Sequence, residues 1–222
     1  MTFPALLAFG LPPVQANTTN TIALCPGYLG GTLAQWRDLQ GQGRRSLLLV
    51  PVAAGGGWLG AVLLERSGEA LFNVLVPVLL LFGSLCIVGQ DWLKGLLSDS
   101  DGARRYAASW LLLPLGLVAI YGGYFNAGLG VLVLALLCIG ISDTLLRLNA
   151  LKQLLSLAIS VAAAAWFMTS GEVRWPVVLV MAAGSLLGGA LGGRLAPHVP
   201  PRVFRIAVAA VGVLPAVGYL LR

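Results

Sequence analysis

Gly10-Leu11-Pro12-Pro13-Val14-Gln15-Ala16-Asn17-Thr18-Thr19-Asn20-Thr21 opens the first long apolar run of the chain, and Arg147-Leu148-Asn149-Ala150-Leu151-Lys152-Gln153 opens a later one. Laid over each other at a shift of 129 positions, Asn20 falls on Asn149, Ala53-Ala54-Gly55 on Ala182-Ala183-Gly184, and Gly60-Ala61 on Gly189-Ala190. Val74, Gly83 and Leu85 then fall on Val203, Gly212 and Leu214 without a gap. Glycine and alanine matches are frequent between apolar helices. It is the preserved order of elements that reads as an internal duplication.

The composition says where such a duplicated chain resides. Of 222 residues, 58% are hydrophobic and 10% charged, against about 45–50% and about 25% in an average soluble domain. Eight acids and fourteen bases are too few to cover a water-soluble globule of this size. Disorder is excluded by the abundance of apolar residues. The formal charge of +6 does not indicate a nucleic-acid partner, because the bases sit in short loops between apolar runs, where membrane topology places them. Cys25, Cys86 and Cys138 lie in apolar stretches without a CxxC spacing and read as small hydrophobes, with a redox or ligand role as the alternative. The expected class is an all-α polytopic membrane bundle.

A straight spanning helix needs about 20 mainly apolar residues. Runs of that kind are 14–36, 46–64, 70–88, 107–125, 149–168, 175–193 and 203–221. Two shorter runs, 2–9 and 129–139, are expected as half-helices or re-entrant segments. No ten-residue alternation of the barrel kind occurs. Loop charges orient the halves. Arg37, Arg44 and Arg45 follow the first long run, whereas the matching loop of the second half holds only Glu172 and Arg174. The next loops reverse the bias, Glu65, Arg66 and Glu69 against Arg194, Arg202 and Arg205. Because cytoplasmic loops collect Lys and Arg, equivalent loops face opposite sides and the repeats are inverted. Inversion requires the stretch 107–139 to turn back once, at Gly122-Gly123 and Asn126-Ala127-Gly128. The expected organisation is one membrane domain: repeat 1 over 1–90, a cytoplasmic linker over 91–106, and repeat 2 over 107–222. Residues 109–130 have no counterpart in the first half, so repeat 1 is expected to lack its opening helix, either because the chain is naturally short or, the preferred reading, through a start codon placed inside the gene.

Duplicated halves are the usual build of secondary transporters, and the polar residues at the helix starts fit an anion. Asn17, Thr18, Thr19 and Asn20 stand where N-cap and first-turn residues would be, with free N–H groups and positive dipole character beside them. Capping with helix–helix hydrogen bonding explains the same residues equally well. Lys152 is the single base expected inside a helix. It either snorkels to the interface or pairs with the substrate, and Asn149 beside it is the symmetry mate of Asn20. Tyr124 and Asn126 mark the turn, which either packs or lines a cavity. The glycine-rich runs near Gly55–Gly60 and Gly184–Gly193 read as packing faces, since no GK[ST] ending follows them. His198, between Pro197 and Pro200, reads as a loop residue. All eight acids fall in loops or at helix ends, which suits an anion better than a cation. No catalytic constellation, metal-ligand spacing or cofactor motif is present. Asn17, Thr19, Asn20, Asn126, Asn149 and Lys152 are therefore the candidate substrate contacts, expected to converge on one guest.

Taken together, Thr2-Phe3-Pro4-Ala5-Leu6-Leu7, Gly10-Leu11-Pro12-Pro13 with Ala16-Asn17-Thr18-Thr19-Asn20, and Tyr121-Gly122-Gly123-Tyr124-Phe125-Asn126-Ala127-Gly128 resemble the TauE/SafE sulfite-exporter family. So do Asn149-Ala150-Leu151-Lys152, the glycine-rich segment from Gly184 to Gly193, and Pro200-Pro201. The resemblance covers nearly the whole chain, although the glycine-rich segment that usually precedes the Thr-Phe-Pro stretch is missing. It implies a multi-pass permease of the bacterial inner membrane for sulfite, sulfoacetate or other sulfonates, with the proton gradient as the usual suggestion for coupling. A non-transporting membrane scaffold or assembly factor is the alternative.

Overall fold

A computed structural model describes residues 2–98, 108–169 and 173–195. Among them are seven α-helices and no strand: α1 (Thr2–Ala8), α2 (Pro13–Ala34), α3 (Gly43–Ser98), α4 (Leu112–Tyr124), α5 (Leu129–Gly140), α6 (Leu145–Phe167) and α7 (Trp175–Leu195). Short 3-10 turns cover Trp36–Leu39 and Ala108–Leu111. The expected run 203–221, the linker and His198 lie outside the described residues.

Local chemistry sets most boundaries. Pro13 begins α2 because its fixed φ suits the first helical position, where its missing N–H has no partner to lose. Thr144 caps α6, its hydroxyl accepting from Arg147 N at 3.4 Å. The expected helices 46–64 and 70–88 form the two parts of α3, divided at Gly68, whose φ of 68° and ψ of 172° no helix contains. The second part folds back beside α4, since Phe72 meets Tyr124 at 5.8 Å and Phe82 meets Tyr121 at 5.5 Å. The expected turn after Tyr124 is present. Asn126 at φ 59° and Gly128 at φ 74° are both left-handed, and together they reverse the chain between α4 and α5.

Helix directions follow from the contacts. At one end of α2, Gln35 accepts from Asn149 at 2.8 Å. At its other end, Val14 and Thr18 line a cleft with Phe167, so α2 and α6 run antiparallel. The first part of α3 runs parallel to α6. Gln42 donates to Arg147 O at 3.0 Å, Gly57 lies on Ile159, and Glu65 accepts from Trp166 Nε1 at 2.5 Å. In the same way α7 runs along α2, Ser185 Oγ donating to Ala23 O at 2.6 Å.

Lipid gives helices no hydrophobic reason to associate, so close backbone packing has to hold them. The glycine runs supply it as expected. A Cβ on Gly123 would lie 2.0 Å from Gly57 O, and one on Gly189 would lie 2.2 Å from Gly27 O. Interdigitated side chains fill the space between α3, α4, α5 and α6, where Leu49, Leu115, Val133, Leu151 and Ile159 are fully buried.

The α4–α5 hairpin enters and leaves at the same end, since Leu111 at its start packs on Gly140 at its finish. Its tip lies against Gly57, Tyr28 and Ser160, part-way along α3, α2 and α6. From the opposite end α1 descends to meet it: the Phe3 and Phe125 rings stand edge to face at 5.2 Å, with Phe72 completing the cluster. Two half-helices thus meet inside the bundle.

The charges divide between the ends. Arg45 and Arg147 share Asp143 at 2.7 and 3.1 Å, at the end where Arg37 and Arg44 also stand. Burial pulls the Asp143 carboxyl upward, but bonds from Arg45 and the Thr144 N–H, with the charges of Arg147 and Arg45, outweigh it and hold the group below the usual carboxylate range. Glu65, Arg66, Glu69 and Arg174 occupy the opposite end.

Candidate functional site

Polar residues of the described interior form two helical stripes, with others such as Thr19 and Asn126 outside them. Asn17, Thr21, Tyr28 and Gln35 are spaced four, seven and seven residues apart on α2, which brings them to one face at about 100° per residue. Asn149, Gln153, Ser156 and Ser160 form the equivalent stripe on α6. The helices are antiparallel, so the stripes adjoin along most of their length, and the α4–α5 tip is inserted between them.

Asn126 stands at the centre. It is 6% exposed. Its Oδ1 accepts from the Tyr28 hydroxyl at 3.3 Å, and its Nδ2 donates to Ser160 Oγ at 3.5 Å, both long bonds. The tip is pinned on either side by Tyr121 Oη donating to Ala127 O at 2.6 Å and by Asn17 Nδ2 donating to Tyr124 O at 2.9 Å. An asparagine in left-handed backbone, held by weak side-chain bonds between two half-helices, can exchange those bonds for a ligand without leaving a helix unpaired.

The six candidates do not form one cluster. Asn17 and Asn20 sit where α2 meets the half-helices, Asn20 Oδ1 accepting from the Thr2 hydroxyl. Thr19 faces α7, its Oγ1 accepting from Arg174 N at 3.2 Å. Asn149 and Lys152 lie at the basic end, where Lys152 Nζ donates to Asn149 Oδ1 at 2.7 Å and Asn149 Nδ2 donates to Gln35 Oε1. Asn20 and Gln35 are fifteen residues apart on α2, about 22 Å at 1.5 Å per residue. Asn20 and Asn149 therefore cannot grip one small ion together.

Two local expectations are also corrected. Asn17 to Asn20 are not capping residues, because Pro12 is the N-cap and no side chain closes it. They occupy the second turn, where their own N–H groups are spent within the helix and only side chains remain to bind. Lys152 lies two turns into α6, not one, since the helix begins at Leu145. Sequence reasoning missed Thr21, Tyr28, Gln35, Gln153, Ser156 and Ser160. Their signal was available in the 3.6-residue spacing that places them in register with Asn17 and Asn149.

The model of the family described as "Sulfite exporter TauE/SafE" matches residues 1–219. The chain belongs to this family. Its relatives include a "Probable membrane transporter protein" of Haemophilus influenzae, 30% identical over 203 residues, a match spanning 88% of this chain and 75% of that protein. "Probable membrane transporter protein YfcA" of Escherichia coli K12 is 28% identical over 199 residues, covering 88% and 71% of the two chains. "Probable membrane transporter protein ORF9" of Sinorhizobium sp is 27% identical over 223 residues, covering 99% and 83%. No solved structure matches. With two helices long and apolar enough to cross a bilayer among the described residues, this TauE/SafE protein is a membrane transporter.

Proposed function

We propose that this TauE/SafE protein carries a small sulfur-containing oxyanion, sulfite or an organosulfonate, across the bacterial inner membrane along the seam between α2 and α6. The observation that carries the reading is the meeting of two half-helices, α1 and the α4–α5 hairpin, beside polar stripes that run most of the bundle's depth. Irregular backbone survives at membrane depth only against protein or a cavity, and transporters place their binding sites where such broken helices meet. A scaffold would need none of these polar stripes.

The chemistry of the seam favours an anion. It offers amide and hydroxyl donors from Asn126, Asn149, Gln153, Ser156 and Ser160, with Lys152 as its cation. Among the described residues the carboxylates that hydrogen-bond or line a cleft, Glu65, Glu69 and Asp143, lie at the ends of the bundle. The basic end faces the cytoplasm by the positive-inside rule. At the other end Glu65 and Glu69 border a cleft of about 130 Å³ with Thr18 and Phe167. The antiparallel course of α2 and α6, which the 129-residue shift makes equivalent, supports inverted halves, and so a multi-pass chain. Asn126 holds the substrate at the tip, Lys152 with Asn149 receives it from the cytoplasmic side, and Asn17, Thr19 and Asn20 hold the half-helix junction in shape.

The test is export of labelled sulfite and taurine-like sulfonates from proteoliposomes. Asn126→Ala and Lys152→Ala should each lower the rate tenfold or more, with Lys152→Arg retaining most of it. Wild-type rates in both alanine variants would refute the site, and no flux of any sulfur oxyanion by the wild type would refute the substrate class.

A further inference from the structure

Asn17 and Thr21 present a pair of oxygens for which the seam supplies no donor. Both side chains are 0% exposed, and neither Asn17 Oδ1 nor Thr21 Oγ1 has a hydrogen-bond partner among the described residues. The orientation of the Asn17 amide is fixed chemically. Its nitrogen must face Tyr124 O, to which it donates at 2.9 Å, because a flipped amide would set oxygen against oxygen. Its oxygen then points away from that bond. Thr21 follows one turn later on the same face, where side chains four residues apart are neighbours.

A buried acceptor left unpaired costs free energy, so an oxygen pair held this way selects its guest by sign. An anion would face the lone pairs of Asn17 Oδ1 and find a donor only in the Thr21 hydroxyl, so it is disfavoured. A cation would meet two side-chain oxygens near the C-terminus of α4, the negative end of that helix's dipole. No carboxylate takes part. Neutral oxygens of this kind suit a monovalent ion, whereas calcium sites rely on carboxylates.

We propose that Asn17 Oδ1 and Thr21 Oγ1 bind a small monovalent metal cation at the junction of the half-helices. Asn17 is thereby a cation ligand, not a contact of the anion. The ion would fix the Asn17 amide, whose nitrogen holds Tyr124 O, and so the position of Asn126 two residues beyond Tyr124. As a coupling site it rests on the transport reading above; as a binding site it does not. A bridging water is the other occupant these oxygens would accept, and it would leave the protein indifferent to the cation.

Thermal unfolding of the purified full chain in detergent, with NaCl exchanged for choline chloride at constant ionic strength, tests this directly. At ten times its dissociation constant a ligand lowers the unfolding equilibrium constant about elevenfold, for a chain of this size a rise in Tm of about 3–6 °C. The wild type and Thr21→Ser should show a saturable rise with Na+, with Li+ and K+ ranked by fit, and the near-isosteric Thr21→Val should lose it. A wild-type Tm independent of all three ions overturns the proposal whether or not any variant folds, as does an undiminished rise in Thr21→Val. Sulfite flux measured on the same samples separates the two readings. Flux without a cation response removes only the cation site, and a cation response without flux removes only the substrate.

Discussion

Gly123→Ala, beside the tip of the α4–α5 hairpin, puts the packing argument at its greatest risk. The new methyl would stand 2.0 Å from Gly57 O and 2.8 and 2.9 Å from Gly57 C and Cα. All three are backbone atoms of α3, so no side chain can rotate away. To reach an ordinary contact of 3.4 Å, α4 must retreat by about 1.4 Å. Movement on that scale also carries the Asn17–Tyr124 bond, now 2.9 Å, beyond hydrogen-bonding range. Overpacking costs about 1–3 kcal/mol and the lost bond about 1 kcal/mol, against a gain of about 0.4–1 kcal/mol from restricting the unfolded chain. The net loss of about 1–3 kcal/mol corresponds to a Tm lower by about 2–12 °C for a chain of this size. Gly116→Ala is the control, two turns earlier on the same helix, where a Cβ meets only Val52 Cγ1 at 3.7 Å. That variant should match the wild type or melt up to about 4 °C higher. Thermal unfolding in detergent, followed by circular dichroism, reads both. Equal melting temperatures for Gly123→Ala and Gly116→Ala would refute the contact between α3 and α4 and the placement of the tip that depends on it.

Asn126→Ala keeps a left-handed residue without the asparagine's local bonding and should lose about 1–2 kcal/mol of stability along with export. Asn126→Gly should recover the stability but not the export, and recovery of both would show that only the backbone mattered. Tyr28→Phe removes one long bond to Asn126 and should lower Tm by about 2–4 °C, so an unchanged Tm would discount that bond. Asp143 has a lowered folded-state pKa, so its contribution is fully present above its unfolded value of 3.8 and is lost as pH falls through the lower folded value. Asp143→Asn should therefore melt below the wild type at neutral pH, and the two curves should converge under strong acid. A difference that persists there would mean that Asp143 acts through shape and not through charge.

The all-helical class, most helix positions and the turn were legible in the sequence because each rests on local chemistry. A long apolar run makes a helix whatever its neighbours, Pro13 starts one, and Asn126 with Gly128 makes a left-handed reversal; but 107–125, long enough in sequence to span, contains a 3-10 turn followed by the 13-residue α4. The basic and acidic ends were also visible, since the cost of burying charge is a property of each loop. The grouping of the site was not. Asn20 and Asn149 are equivalent in the repeat, yet equivalence in sequence gives no distance. Antiparallel packing of α2 on α6 sends the two to opposite depths and brings Gln35 to Asn149 instead. Asn17 through Asn20 follow one another in the chain, but at 100° per residue they reach different elements: Tyr124 on α4, the start of α7, and Thr2 on α1. The chain alone determined which residues are polar inside an apolar helix. Only tertiary structure decided which of them meet, because a helix fixes the direction of each side chain and the packing of its neighbours fixes what stands there.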